Sequence, residues 1–285
     1  MKKVLVTGAN GQLGQSLGEV SLTRPAFDFS FVSKEQLNVA DKKQLDLFFN
    51  NNSFDFVINC SAYTAVDKAE SDIENARMIN TTAVAHLSEI TSKHNISFIH
   101  ISTDYVFDGN ETTPRLETDN VNPIGIYGQT KLEGERLALQ NNSKTIIIRT
   151  SWIYSIYGNN FVKTMLRLFK EKQEIGVIDD QVGSPTNAND LAEAIVEIIS
   201  NESLVYGIFN YSNEGKCTWF EFAVKIKEFV NSSIIIKPIP TTAYPTPAKR
   251  PVYSLLDKTK IKNTYKLTIS DWQASLVKEL KKIIN

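Results

Sequence analysis

Short apolar runs rich in β-branched and aromatic residues recur along the first half of the chain, at Val4-Thr7, Phe29-Val32, Phe56-Asn59, Phe98-Ile101 and Thr145-Arg149. Amphipathic segments with helical periodicity separate them. Strands of this kind alternating with helices predict a parallel sheet covered on both faces, an α/β doubly wound fold of Rossmann type. After Arg149 the rhythm changes. Helices are expected over 159–172, 190–200 and 219–229, and the Pro-rich stretch from Lys237 to Pro251 reads as an ordered loop. The chain thus divides into a dinucleotide-binding part, 1–150, and a mainly substrate-binding lobe, 151–285. Segments near 186–211 are expected to return to the sheet.

The first strand runs straight into Gly8-Ala9-Asn10-Gly11-Gln12-Leu13-Gly14 and then an amphipathic helix. Strand, glycine turn and helix in that order form a phosphate cradle. One glycine permits the turn, one lets a pyrophosphate approach the backbone, and one lets helix pack on strand. The phosphates then sit on the helix N-terminus. Gly8, Asn10, Gly11, Gln12, Leu13 and Gly14 are therefore candidate cofactor contacts.

The second chemical signal is Tyr127-Gly128-Gln129-Thr130-Lys131, which sets a phenol and an ammonium one helical turn apart on the same face. A lysine cation favours the ionised tyrosine, so the pair reads as a general acid and its tuner, bringing proton transfer toward neutral pH. Upstream, Ile99-His100-Ile101-Ser102-Thr103-Asp104-Tyr105-Val106-Phe107 is a strand ending in hydroxyls. Ser102 and Thr103 should emerge at the carboxyl end of the sheet, where ligands bind in such folds. The three histidines, His86, His94 and His100, show no triad arrangement and read as packing or surface residues.

Further strings, Ala62-Tyr63-Thr64-Ala65-Val66-Asp67-Lys68-Ala69-Glu70, Arg149-Thr150-Ser151-Trp152-Ile153-Tyr154 and the Pro240-to-Pro251 segment, resemble the dTDP-4-dehydrorhamnose reductase family of the extended short-chain dehydrogenase/reductases. The likeness runs from the first strand to Asp271-Trp272. It implies a catalytic triad of Thr103, Tyr127 and Lys131, with Tyr127 and Lys131 also against the cofactor. It implies NADPH-dependent reduction of the 4-keto group of dTDP-4-dehydro-L-rhamnose to dTDP-L-rhamnose, for polysaccharide biosynthesis. Thr103, Asp104, Tyr105, Trp152 and Asn160 are the substrate-side positions. Arg250, at the end of a proline-stiffened loop, suits the diphosphate of a dTDP-sugar.

Cofactor choice turns on the second strand's end, where Ser33 and Lys34 favour the 2′-phosphate of NADPH, with NADH as the alternative cofactor. Asn38 and Val39, with Asp41, resemble the segment flanking adenine, and Cys60, Ser61 and Ala62 should pass beneath the cofactor as backbone. Some family members bridge a dimer through a metal held by acidic side chains. Gln15-Ser16 and Asn189-Asp190 carry little charge for that, so no metal is expected and a homodimer is left open. Two other readings stand beside this one: a reductase or epimerase acting on another nucleotide sugar, and a non-catalytic regulatory subunit of the methionine adenosyltransferase type.

Composition narrows the classes further. The 285 residues are 42% hydrophobic with a formal net charge of −1, which gives no reason to expect nucleic acid or an acidic membrane. Two cysteines, Cys60 and Cys217, are too few for a disulfide framework. Without an apolar run of membrane-spanning length or a signal segment, a cytoplasmic enzyme is expected.

Overall fold

The computed structural model describes residues 1–284. Its elements follow in the order β1 (Lys2–Thr7), α1 (Gln12–Ser21), β2 (Phe27–Val32), α2 (Lys42–Asn51) and β3 (Phe56–Asn59). Then come α3 (Val66–Ala69), α4 (Ile73–Arg77), a π-helical turn at Met78–Thr82, α5 (Ala83–Lys93), β4 (Ser97–Thr103), α6 (Ile126–Asn141) and β5 (Thr145–Thr150). The second half contains β6 (Ile153–Tyr154), α7 (Phe161–Glu171), β7 (Glu174–Ile178), β8 (Val182–Gly183), β9 (Thr186–Asn187) and α8 (Ala188–Ser200). It closes with β10 (Gly207–Asn210), β11 (Cys217–Thr218), α9 (Trp219–Phe229), β12 (Ile235–Ile239), α10 (Thr259–Tyr265) and α11 (Trp272–Ile284).

Six strands form one parallel sheet in the order β10-β5-β4-β3-β1-β2. The order reverses beside β1, so a crevice opens at the carboxyl ends of β1, β3 and β4. Helices cover both faces because both faces are apolar. Val4, Val6, Ile58, Ile99, Ile146 and Ile148 pack against α1 and α8 on one side. On the other, Leu5, Val57, Phe98 and Ile147 pack against α2, α5 and the Ala138 turn of α6. A third core joins α7, α9 and α11 through Val162, Met165, Phe222, Trp272 and Leu276.

Two parts of the chain after Thr150 belong spatially to the sheet. Strand β10 pairs with β5, from Gly207 beside Ile146 to Asn210 beside Arg149, and α8 packs with α1 on the face that carries Ile195 and Ile199. The reading of 237–251 as loop needs correction. Lys237 to Ile239 belong to β12, paired with β7. Pro238 fits there because this two-stranded sheet leaves an edge on which the missing N–H costs nothing. Helix α10 packs on the sheet core through Ile261 and Tyr265, and α11 joins α7 and α9 through Trp272, Leu276 and Leu280 at i, i+4 spacing.

A buried ion pair ties α6 to β5 inside this frame. Glu135 on α6 and Arg149 on β5 are 1% and 3% exposed and meet at 2.7 Å, with Arg149 Nε also donating to both carboxylate oxygens. Breaking such a pair strands a charge in a dry interior, whereas removing both partners is often close to neutral. Glu135→Leu is therefore expected to lower unfolding free energy by about 3–5 kcal/mol in urea denaturation. The double variant Glu135→Leu/Arg149→Met should recover most of the loss; equal destabilisation by single and double variants would show that the pair itself is not what matters.

Candidate active site

The glycine loop divides its work among its members. Gly8 has φ +70, and a Cβ there would stand 2.7 Å from backbone atoms of Cys60 and Ser61, so β1 and β3 can approach only with glycine at this point. At Gly14 a Cβ would meet the Gly8 carbonyl oxygen at 2.4 Å, which fixes the closeness of α1 to the loop. Gly11 is the N-cap of α1 and supplies no side-chain hydrogen bond. The first N–H groups of α1 are thus left to a ligand, which is the arrangement a pyrophosphate needs.

Gly8, Asn10, Gly11, Ser33, Lys34, Asn38, Val39, Cys60, Ser61 and Ala62 line one cleft of about 290 Å³ at the end of the sheet. The end of β2 is already hydrogen-bonded. Ser33 donates its hydroxyl to Glu35 at 2.6 Å and its backbone N–H to Gln36 Oε1, while Lys34 is exposed beside them. Asp41 accepts the Lys43 and Gln44 N–H groups and so caps α2, beside the cleft-lining residues Asn38, Val39 and Ala40.

A second cleft of about 690 Å³ continues from the first through Asn10, Gly11, Cys60 and Ala62. Gln12, Leu13, Thr103, Asp104, Tyr105, Tyr127, Lys131, Trp152 and Trp219 line it. The strand-end hydroxyls separate here. Thr103 lines the cleft with Ser102 beside it, but Ser102 Oγ is buried without a hydrogen-bond partner. The Thr103 hydroxyl accepts from the Tyr105 N–H at 3.2 Å and donates to Asp104 Oδ1 at 3.1 Å. Asp104 is 1% exposed and its Oδ2 has no partner; burial pushes its carboxyl up to about 6 against the pull of Ser254 and Thr103.

Lys131 is 2% exposed. Its Nζ donates to the Ile101 carbonyl at 2.6 Å and stands 3.3 Å from His100 Nε2. Burial brings the ammonium down to about 8, opposed by Glu135 and Cys60. Tyr127 is half-buried and packs edge-on against Tyr105. Burial pushes its phenol up to about 12, with the Thr103 hydroxyl pulling the other way and Asp104 adding to the rise. Desolvation, not Lys131, sets the direction of the Tyr127 shift here, and the lysine head is turned onto the Ile101 carbonyl of β4.

Other sequence-predicted residues are engaged by the protein. Asn160 is the N-cap of α7, accepting from Lys163 N–H, and its amide nitrogen donates to Gln12 Oε1 at 2.9 Å and Ser155 O at 2.8 Å. It braces the glycine loop against the second lobe and has no amide proton left for a sugar. Arg250 holds Asp67 with two bonds, at 3.0 and 2.8 Å, so the guanidinium is spoken for until something displaces the carboxylate. Trp152 lines the cleft with φ +47 and is stacked on Trp219 at 3.6 Å between ring centroids. Trp219 is a cleft residue without a site reading from the sequence, and His100, expected to be a packing or surface residue, lies behind Lys131. Neither carries a spacing signal, because each reaches the site only through tertiary packing.

Among the described residues, no group of three or more His, Cys, Asp or Glu side chains is placed to hold a metal ion, and no helix is long and apolar enough to cross a membrane.

Comparison with known proteins agrees along the whole chain. The family described as RmlD substrate binding domain matches residues 1–284. A dTDP-4-dehydrorhamnose reductase from Aggregatibacter actinomycetemcomitans is 40% identical over 286 residues, 97% of each chain. One from Escherichia coli K12 is 41% identical over 80% of each. Among solved structures, a dTDP-4-dehydrorhamnose reductase from Clostridium acetobutylicum superposes with a TM-score of 0.95 at 37% identity, covering 99% of this chain and 100% of that one. The Bacillus anthracis reductase, in complex with NADP, gives 0.94 at 37% identity over 99% of both. With a family match from end to end and relatives well above 30% identity over most of its length, the chain belongs to the dTDP-4-dehydrorhamnose reductase family.

Proposed function

We propose that this protein reduces the 4-keto group of dTDP-4-dehydro-L-rhamnose to the alcohol of dTDP-L-rhamnose with NADPH. The observation that carries the reading is the convergence of Thr103, Tyr127 and Lys131 on one cleft that runs on into an uncapped, glycine-rich helix N-terminus. Residues 1–150 with the returning segments hold the cofactor in this reading, and the remainder of 151–285 forms most of the sugar-nucleotide lobe.

NADPH, when bound, supplies the hydride. Tyr127 donates its proton to the sugar's 4-oxygen as that oxygen becomes an alkoxide. Its elevated pKa suits this direction, since a phenol that titrates at about 12 is protonated throughout the neutral range. Thr103 turns its hydroxyl from Asp104 to the carbonyl oxygen, orienting it and sharing the developing charge. Lys131 stabilises the tyrosinate as an ammonium. Trp152 supplies an apolar wall for the sugar, and Arg250 serves the diphosphate in exchange for Asp67. Ser33 and Lys34 favour a 2′-phosphate, which supports NADPH over NADH. The convergence of Tyr127, Lys131 and Thr103 on one cleft favours an enzyme over a regulatory subunit that only holds a cofactor.

Tyr127→Phe should lower turnover by about 10²- to 10⁴-fold while leaving NADPH affinity nearly intact. Retention of more than about a tenth of wild-type turnover, with chemistry shown to be rate-limiting, would remove Tyr127 from this role.

The pH dependence follows from Lys131. Its folded-state pKa is depressed to about 8, so the ammonium is present below that value and lost as pH rises through it. Values of kcat/KM for NADPH report groups of the free enzyme, and should therefore fall on the basic side with a midpoint near 8. A profile flat to pH 10 would place the lysine charge outside the chemistry.

A further inference from the structure

The mechanism above leaves His100 unused, although it is fully buried directly behind Lys131. Its protonation can be read from its neighbours. Asn59, at the end of β3, accepts the Ser61 backbone N–H on Oδ1 at 3.1 Å and the Thr7 hydroxyl on the same atom at 2.7 Å. A backbone N–H can only donate, so the amide orientation is fixed and Asn59 Nδ2 is the atom 3.0 Å from His100 Nδ1. Nδ1 must accept. The single proton of the neutral imidazole is then on Nε2, the atom 3.3 Å from Lys131 Nζ.

Two donors face each other whenever Lys131 is an ammonium. The conflict disappears when it is an amine: one N–H goes to the Ile101 carbonyl at 2.6 Å, the lone pair accepts from His100, and the other N–H remains for the cleft. Resting on the reading of Tyr127 and Lys131 given above, we infer that His100 is a positioning residue that donates its Nε2–H to Lys131 Nζ and so stabilises the lysine as a neutral amine. The proton count closes. Tyr127 passes its proton to the alkoxide, Lys131 passes one to the tyrosinate, His100 hydrogen-bonds the amine without giving up its own proton, and solvent restores the ammonium.

The other groups facing Lys131 do not supply this. Cys60, from the end of β3, is held as a thiol by burial that pushes it up to about 12. Glu135, one turn along α6, is committed to Arg149 and favours the ammonium. Tyr127, one turn back, is a phenol in the resting state. Burial and the nearby lysine together hold His100 well below the usual histidine range, consistent with a neutral ring.

The test has two arms. The first needs no substrate: with only three histidines in the chain, His86→Gln/His94→Gln leaves one imidazole, and its nitrogen-15 resonances report the tautomer directly. Should that double variant not fold, the wild-type spectrum is assigned from the single variants. The expected ring is protonated on Nε2 and unchanged from about pH 5.5 to about pH 8.5, where an ordinary histidine titrates. A proton on Nδ1, or an imidazolium in that window, overturns the inference. The second arm compares the basic limb of the kcat/KM profile in wild type, His100→Leu and His100→Gln. Loss of the donor in His100→Leu should move the limb up by about one pH unit, the equivalent of one hydrogen bond. His100→Gln, whose amide nitrogen can donate where Nε2–H does, should bring it back. A limb that stays in place in both variants while kcat falls evenly would make His100 a packing residue only. Should the wild-type protein turn over no keto-sugar, the proposed function fails while the spectrum still decides the tautomer.

Discussion

A buried ammonium organises this protein. Lys131 sits in the interior with its head on the Ile101 carbonyl, so helix α6 is tied to the strand whose end carries Thr103. An ammonium taken out of water lowers its own pKa or finds partners, and here it does both. The same bond sets the rotation of α6. Because Tyr127 lies one turn earlier on the same face, anchoring the lysine also aims the phenol at the strand-end hydroxyl. Gly128, between them on the adjoining face, lies so close to the Tyr105 carbonyl that a Cβ would stand 2.2 Å from it. Helix α6 and the 104–106 turn are pressed together at the point where the chemistry is assembled.

The second half of the site depends on the sheet. Parallel pairing in register carries Thr7, Asn59 and His100 into one row across β1, β3 and β4. That row begins beneath the glycine loop and ends under Lys131. Cofactor cradle and proton-transfer site are therefore joined by a line of buried hydrogen bonds, Ser61 and Thr7 to Asn59, then Asn59 to His100. Chains of this type are rigid because each member left unpaired would cost the desolvation of a polar group.

What the sequence makes legible is local. The glycine loop, the Tyr-x-x-x-Lys spacing and the sheet strands depend on neighbours in sequence, and the central parallel sheet appears where the β-branched runs place it. The family relationship is likewise carried by short strings. Long-range partnerships are not local. Nothing in Pro240 to Pro251 announces that Arg250 will pair with Asp67, from a segment far earlier in the chain. Asn160 reads from the sequence as a substrate-side residue, and only its three-dimensional surroundings show it capping α7 and bracing Gln12. The balance of forces on Tyr127 is also invisible in spacing: i, i+4 geometry brings the lysine near, but desolvation of the phenol raises its pKa.

The central claim is that this site reduces a nucleotide-linked 4-keto sugar. Purified protein incubated with NADPH and dTDP-4-dehydro-L-rhamnose, generated in place by a 3,5-epimerase from its dTDP-4-dehydro-6-deoxyglucose precursor, tests it directly by NADPH absorbance and by chromatography of the sugar nucleotide. The account predicts stoichiometric NADPH oxidation with formation of dTDP-L-rhamnose, and slower turnover when NADH replaces NADPH. Folded protein that binds NADPH yet leaves both it and the keto-sugar unchanged would contradict the account.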